Sequence, residues 1–330
     1  MPATIDPAAA FRAARDAAFA ARLPGVAFLE AEGADTATFL QGQLSNDAAA
    51  LAPGRAQWTT YNSPKGRMLA TLLLWRPLAG DAWRMALPAE LAEPIRKRLS
   101  MFVLRSKVKL AATDLAAIGV GGPGAARSIR AALGLDVATL GVASREGVEA
   151  IGLPDGRILL VAPASRIDAI AARFAPAAEA ADESAWRWLG IRAGVAEVRA
   201  ATQERHVAQA ANWDANGGLS FTKGCYPGQE VIARMQHLGI LKERAHPFHS
   251  DGAPPAPATP LYSQAFGEQA CGSVVDAVAL PEGGSDFLAV VQTKAVDADD
   301  LRLGAPDGPG VARLPLPYEL PASAPKRVRL

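Results

Sequence analysis

Two cysteines in 330 residues are too few for a disulfide framework, and Cys225 and Cys271 stand far apart with no second thiol at the spacing of a zinc knuckle. An iron–sulfur cluster takes about four thiolates. Short of one cluster shared by two chains through Cys225, any part this chain takes in cluster chemistry is that of a helper. His246 and His249 have no acidic or cysteine partner at a metal-binding interval, so no metal site is read. Excess charge is lacking too. Thirty-four Lys and Arg face 33 Asp and Glu, a net charge of +1, which removes any general electrostatic grip on nucleic acid or an anionic membrane. No apolar run approaches the roughly 20 residues of a membrane span. Met1 to Arg22 is rich in alanine and arginine but lacks serine and carries Asp6 and Asp16, which argues against a transit peptide and for the leading helix of a cytoplasmic protein. Apolar residues are plentiful: 50% of this length suffices for two or three domains with real cores.

Chemistry concentrates in Leu219-Ser220-Phe221-Thr222-Lys223-Gly224-Cys225-Tyr226-Pro227-Gly228-Gln229-Glu230 and on to Arg234. The pattern predicts a short apolar run, a glycine-interrupted turn, and a helix with Pro227 and Glu230 in its first turn and Val231, Met235 and Leu238 as its apolar stripe. A thiol just before a helix start and two residues from an ammonium is favoured as thiolate, which makes Cys225 a candidate reactive cysteine. A lone cysteine is more often a small core residue. Gly224 and Gly228, flanking the thiol and leaving its approach open, weigh against that here, whereas Gln229 and Glu230 also fit a solvated helix start.

Along the rest of the chain, Val26–Leu29 reads as a strand and Asp35–Leu44 as a helix. Arg55–Tyr61 and Met68–Trp75 read as strands joined across Asn62-Ser63-Pro64-Lys65-Gly66. Trp83–Leu87 is a third strand, and Ala89 to about Phe102 a helix bearing Arg96, Lys97 and Arg98, with Arg105, Lys107 and Lys109 beyond it. These six cations read as a solvated face rather than an anion site, and no aromatics are interleaved as a single-strand binder needs. Gly119-x-Gly121-x-x-Gly124 matches the dinucleotide fingerprint on a strand–turn–helix, but no strand with a terminal acid follows at the required distance, so a plain turn is expected. Glu149–Leu153 and Arg157–Val161 form a hairpin over Pro154-Asp155-Gly156, Ser165–Phe174 and Glu183–Ala193 are helices, and the Ala175–Asp182 run between them is a linker. Beyond Arg244 proline rises and short strands follow, at Cys271–Ala279, Phe287–Gln292 and the chain end, with Cys271 in the core and Lys326–Arg329 a solvated tail. The whole is α+β: residues 1–244 form two interleaved subdomains, about 25–110 and 111–244, and 245–330 a β-barrel.

Lys223-Gly224-Cys225-Tyr226-x-Gly228-Gln229-Glu230 followed by Arg234 resembles the signature of the YgfZ family, folate-binding proteins like the T-protein of glycine cleavage and tied to tRNA modification and iron–sulfur maintenance. Leu40-Gln41-Gly42-Gln43-Leu44-Ser45-Asn46-Asp47, Pro64-Lys65-Gly66-Arg67, Gln209-Ala210-Ala211-Asn212 and Gly217-Gly218-Leu219-Ser220-Phe221 extend the resemblance in order. It implies a T-protein-like ring of domains with a C-terminal barrel, a tetrahydrofolate cofactor, and transient iron–sulfur client enzymes as partners of a monomer with no nucleic acid or membrane partner. By the same resemblance, Cys225 and Lys223 would carry the chemistry, and Gly224, Tyr226, Gly228, Gln229, Glu230, Arg234 and Asn212 would bind the cofactor. Two departures stand out. Leu189-Gly190-Ile191-Arg192-Ala193-Gly194 has an arginine where the T-protein's pterin-binding glutamate falls, and a guanidinium only donates. Leu87-Pro88-Ala89-Glu90-Leu91 replaces the T-protein's asparagine-rich run and its aspartate. The alternative function, a folate-dependent aminomethyltransferase or methyltransferase, would need Glu90 or Glu93 to manage protons. A structural adaptor, the third reading, would not depend on Cys225.

Overall fold

The structure is a computed structural model that describes residues 5–238 and 241–321; the expected tail at Lys326–Arg329 lies outside them. The chain falls into two compact units. The first takes in the chain up to Leu40, Ala48–Gln57 and Leu72–Leu189; the second takes in Gln41–Asp47, Trp58–Thr71 and the chain from Gly190 on.

Up to Leu189 the elements run α1 (Pro7–Asp16), β1 (Phe19–Arg22), β2 (Val26–Glu32), α2 (Thr36–Gln43), β3 (Ala56–Asn62), β4 (Met68–Trp75), β5 (Trp83–Pro88), α3 (Ala89–Ser100), β6 (Lys109–Ala112), β7 (Leu115–Gly121), α4 (Ala125–Leu133), β8 (Val142–Arg145), β9 (Val148–Gly152), β10 (Ile158–Pro163), α5 (Ile167–Ala172), β11 (Glu179–Ala181) and α6 (Glu183–Arg192). One sheet has the order β3-β4-β5-β2-β6, and the chain passes between the units within β3 and β4. Strand β4, Met-Leu-Ala-Thr-Leu-Leu-Leu-Trp, is buried at every position, as a nearly continuous apolar run requires when both faces of a strand are covered.

A second sheet, β11-β1-β7-β10-β9-β8, is covered by α4 and α5, whose Ile129, Leu133, Ile167 and Ile170 meet Ile118, Val120 and Leu160. Each such side chain stabilises the unit by roughly 1.5–3 kcal/mol. Helix α4 ends on Gly134 at φ 64, a left-handed cap that glycine adopts without strain. The glycines of the apparent dinucleotide fingerprint serve packing. A Cβ on Gly119 would lie 2.3 Å from the Trp186 ring, and one on Gly121 would meet Phe19 and Leu189. Both neighbours of β7 are antiparallel, so no parallel nucleotide-binding unit exists there.

Several expectations are corrected. The leading segment is a ten-residue helix and then strand β1, because Asp6 caps and Pro7 opens a helix that stops at Ala17, after which Phe19 and Ala21 turn inward. The supposed linker contains β11, which pairs parallel with β1 through main-chain groups that need no distinctive side chains. The Ser165–Phe174 helix is a 3₁₀ turn followed by the shorter α5.

In the second unit α7 (Gln229–Leu238) precedes β12 (Glu243–Ser250), β13 (Pro260–Tyr262), β14 (Gly272–Ala279), β15 (Ser285–Gln292), α8 (Thr293–Ala298), β16 (Arg302–Leu303) and β17 (Ala312–Arg313). The strands form an antiparallel half-barrel of order β16-β13-β14-β15-β12-β17, filled by Phe248, Leu261, Cys271, Val274, Phe287 and Val291. Cys271 is core, as expected, although it lies one residue ahead of β14.

Candidate functional site

The quoted motifs converge within the second unit. Lys223 is 8% exposed, and its ammonium donates to the carbonyl oxygens of Gln41 at 2.7 Å, Leu44 at 2.5 Å and Asn46 at 3.0 Å, with the Tyr226 ring centroid 5.0 Å away. Ser45 Oγ donates to Gly218 O at 2.7 Å and accepts from Thr60 N at 2.8 Å, while Asn46 Nδ2 spans Trp58 O and Gly217 O at 2.8 Å each. The 41–47 turn is thereby sewn to the strand-and-loop segment that leads into Cys225. Burial lowers the Lys223 pKa to about 8 and the Asp47 carboxylate raises it in opposition; the three carbonyls also favour the ammonium, so the amine is charged at neutral pH. All three of its hydrogens are taken up by the main chain. The structure places Lys223 as the peg that ties the 41–47 turn to the Cys225 loop.

Gly228 shows why a glycine follows Pro227. At φ 81, a Cβ there would lie 2.6 Å from Gly66 Cα and 2.6 Å from Ser63 O, so the Asn62–Arg67 turn and the start of α7 touch backbone to backbone. The helix begins at Gln229, which places Pro227 ahead of it rather than in its first turn. Among its described side chains the fully buried one is Ile232, with Val231 and Met235 half-buried, a correction to the expected stripe, whose Leu238 side chain lies outside the described ones. Gln229 Nε2 reaches Lys223 O at 3.4 Å and helps to close the loop; Glu230 and Arg234 are exposed. Asn212, fully buried at φ 62, donates both amide hydrogens inside the chain, to Ala245 O at 2.7 Å and Tyr318 Oη at 3.1 Å. It anchors β12, and neither hydrogen is left for a cofactor.

Cys225 is exposed, and Gly224 before it would meet nothing within 4 Å if it carried a Cβ. Tyr226 is buried, which pushes its phenol up to about 12 and keeps it protonated. The loop therefore alternates anchors and openings. Lys223 and Tyr226 are turned in; Gly224, Cys225 and the 41%-exposed Phe221 are turned out.

Several polar residues of this unit were not legible as site residues. His206 is buried, with Nε2 3.1 Å from Ser273 Oγ and Nδ1 without a partner among the described residues. Asn62 Nδ2 and Oδ1, Ser63 Oγ and Gln209 Oε1 are likewise buried and unpaired, and they sit on the segments packed against α7. His249 has an acidic partner distant in sequence: Asp286 Oδ1 lies 2.9 Å from its Nδ1, and Asp286 Oδ2 is 3.7 Å from Arg192. Among the described residues no group of three His, Cys, Asp or Glu is placed to hold a metal ion. In the first unit Glu93 is held by Arg96 at 2.8 Å and Lys97 at 3.4 Å, and the Arg96 hydrogen bonds drop its pKa to about 2, far from a proton carrier's range.

No family model matches the chain. Its fold is that of the glycine-cleavage aminomethyltransferases: the solved structure of aminomethyltransferase T from Bartonella henselae superposes with a TM-score of 0.68 at 14% identity, covering 86% of this chain and 81% of that one. Within that class the sequence is more particular. The chain belongs to the YgfZ family, being 31% identical over 301 residues to tRNA-modifying protein YgfZ of Enterobacter sp. (strain 638), with 87% of this chain and 89% of the relative covered. The same-named proteins of Serratia proteamaculans (strain 568) and Vibrio vulnificus (strain CMCP6) are 31% identical over 309 residues and 28% identical over 304, each aligned over about nine-tenths of both chains.

Proposed function

We propose that this chain binds a reduced folate, tetrahydrofolate, and through Cys225 supports the assembly or repair of iron–sulfur proteins, and by that route tRNA modification. The observation that carries the proposal is the open thiol: Cys225 lies exposed on a loop fixed from behind by the Lys223 cage, the arrangement for a sulfur that must meet another protein. Clients would be met transiently. The folate assignment is supported by the unpaired buried atoms of Asn62, Ser63 and Gln209, which combine donors and acceptors as the amide-like edge of a pterin requires. Those residues would hold the pterin in place of the missing glutamate at position 192. When bound, the folate supplies a carrier for one-carbon units; the protein orients it and keeps the thiol accessible. Aminomethyl transfer is disfavoured, because Leu87-Pro88-Ala89-Glu90-Leu91 replaces the T-protein's asparagine-rich run and its aspartate, and Glu93 is held by Arg96 and Lys97.

The test is calorimetric binding of tetrahydrofolate to the wild type and to Cys225→Ser, paired with the activity of an iron–sulfur tRNA-thiomethylating enzyme in cells carrying each version. Equal folate binding with client activity only in the wild type is expected. Absence of folate binding overturns the cofactor, and full client activity with the serine variant overturns the role of the thiol.

A further inference from the structure

The loop that follows α3 presents its apolar side chains to solvent. Met101 is 63% exposed, Phe102 43% and Leu104 87%, three of the six large exposed hydrophobics among the described residues. The loop is not slack. Met101 N bonds Arg98 O at 3.2 Å, Phe102 N bonds Leu99 O at 3.0 Å, and Ser106 N closes a turn on Val103 O at 2.8 Å. Inside that turn Leu104 stands at φ 45, a conformation that costs a branched side chain about 1–2 kcal/mol and that glycine would adopt freely. The chain therefore holds a leucine outward in a strained backbone with nothing of its own to cover it.

Positive charge flanks the tip in sequence. No acidic residue occurs between Glu93 and Asp114, whereas Arg98, Arg105, Lys107 and Lys109 do, and among the described residues none of these four forms an ion pair. The acidic groups facing them are Glu32, paired in register with Lys109, and Asp35, whose carboxylate accepts from the Lys107 main-chain N–H at 2.7 Å. The whole chain has a net charge of +1, so this cationic collar is a local feature.

We propose that the Met101–Leu104 knuckle and its collar of Arg98, Arg105 and Lys107 form a docking surface for an acidic, apolar-anchored segment of a partner protein. The collar selects acidic side chains, and the tip enters an apolar recess between them. Nucleic acid would match the collar but not the tip: one phenylalanine beside methionine and leucine gives no stacking platform. The inference stands apart from Cys225, which belongs to the other unit, and from folate.

The test follows the Met101 methyl resonance of the full-length chain, labelled with 13C-methyl methionine. It is titrated with a synthetic peptide carrying glutamates around leucine and phenylalanine anchors, a lysine version of that peptide, a 20-nucleotide oligothymidine, and phosphatidylcholine vesicles with phosphatidylserine. The acidic peptide is expected to shift Met101 saturably, with affinity falling at least tenfold in Leu104→Ser and in Arg105→Glu and falling with salt. Leu104→Gly, which relieves the backbone but removes the tip, should unfold no earlier than the wild type and still bind weakly, separating lost docking from lost folding. No shift with the acidic peptide, or an equal shift with the lysine peptide, overturns the proposal. Stronger binding to oligothymidine or to vesicles assigns the surface to nucleic acid or lipid and overturns it equally.

Discussion

The Nζ of Lys223 lies 2.5 Å from the carbonyl oxygen of Leu44, and this contact joins two motifs far apart in the chain. Replacing the lysine with methionine keeps the apolar stem and strands three carbonyls. The expected loss in urea unfolding is about 3 kcal/mol, the scale of buried acceptors left unpaired. Lys223→Arg should not restore it, because a planar guanidinium does not match three converging oxygens.

Gly228 and Gly224 predict opposite outcomes from the same substitution. Gly228→Ala must place a methyl against Gly66 and Ser63 at a positive φ, and should cost about 2 kcal/mol or more and loosen the loop. Gly224→Ala meets open space and should change stability by less than about 0.5 kcal/mol. Thermal melts of the two variants side by side check both.

Arg244 grips Asp214 through two nitrogens, at 2.6 and 3.0 Å, with the aspartate side chain only 4% exposed. Asp214→Ala leaves a nearly buried guanidinium with the Gln209 carbonyl but no counter-ion, and should destabilise the second unit by about 3 kcal/mol in chemical denaturation.

Acid should unfold this protein in part through His206. Burial, with Arg67 and Arg205 adding repulsion, lowers its pKa from 6.5 to about 4. The unfolded chain then binds a proton that the folded chain refuses, so stability is full above pH 6.5 and falls as pH drops towards 4. The slope from this imidazole is up to about 1.4 kcal/mol per pH unit. His246, lowered to about 4 by burial and by Arg313 and Arg244, adds to it in the same window. Unfolding free energies measured from pH 7 to pH 4 should show a shallower decline in His206→Gln than in the wild type.

What the sequence disclosed follows physical lines. The β3–β4 hairpin was legible because Pro64 and Gly66 punctuate two apolar runs, and the signature loop because its glycines and lone thiol are unusual side-chain chemistry. Strand β12 was not, because Pro247 in its middle argues against a strand; the structure accommodates it opposite Leu288, where its carbonyl still accepts from Leu314 N at 2.8 Å. The cage around Lys223 was hidden for a different reason: its partners are main-chain carbonyls, which every residue carries and no sequence marks. The pairing of His249 with Asp286 spans 37 positions and needed the sheet register to appear.

One thiol turned out and the other sealed in a barrel core give the natural chain a single addressable handle. Cys271 is 2% exposed and burial pushes its pKa up to about 11, so a maleimide dye, a spin label or a photo-activated tether offered to the folded protein attaches at Cys225 alone. No cysteine need be removed or added first. Whatever approaches that loop in a cell extract can be trapped, sized and sequenced from the unmodified polypeptide.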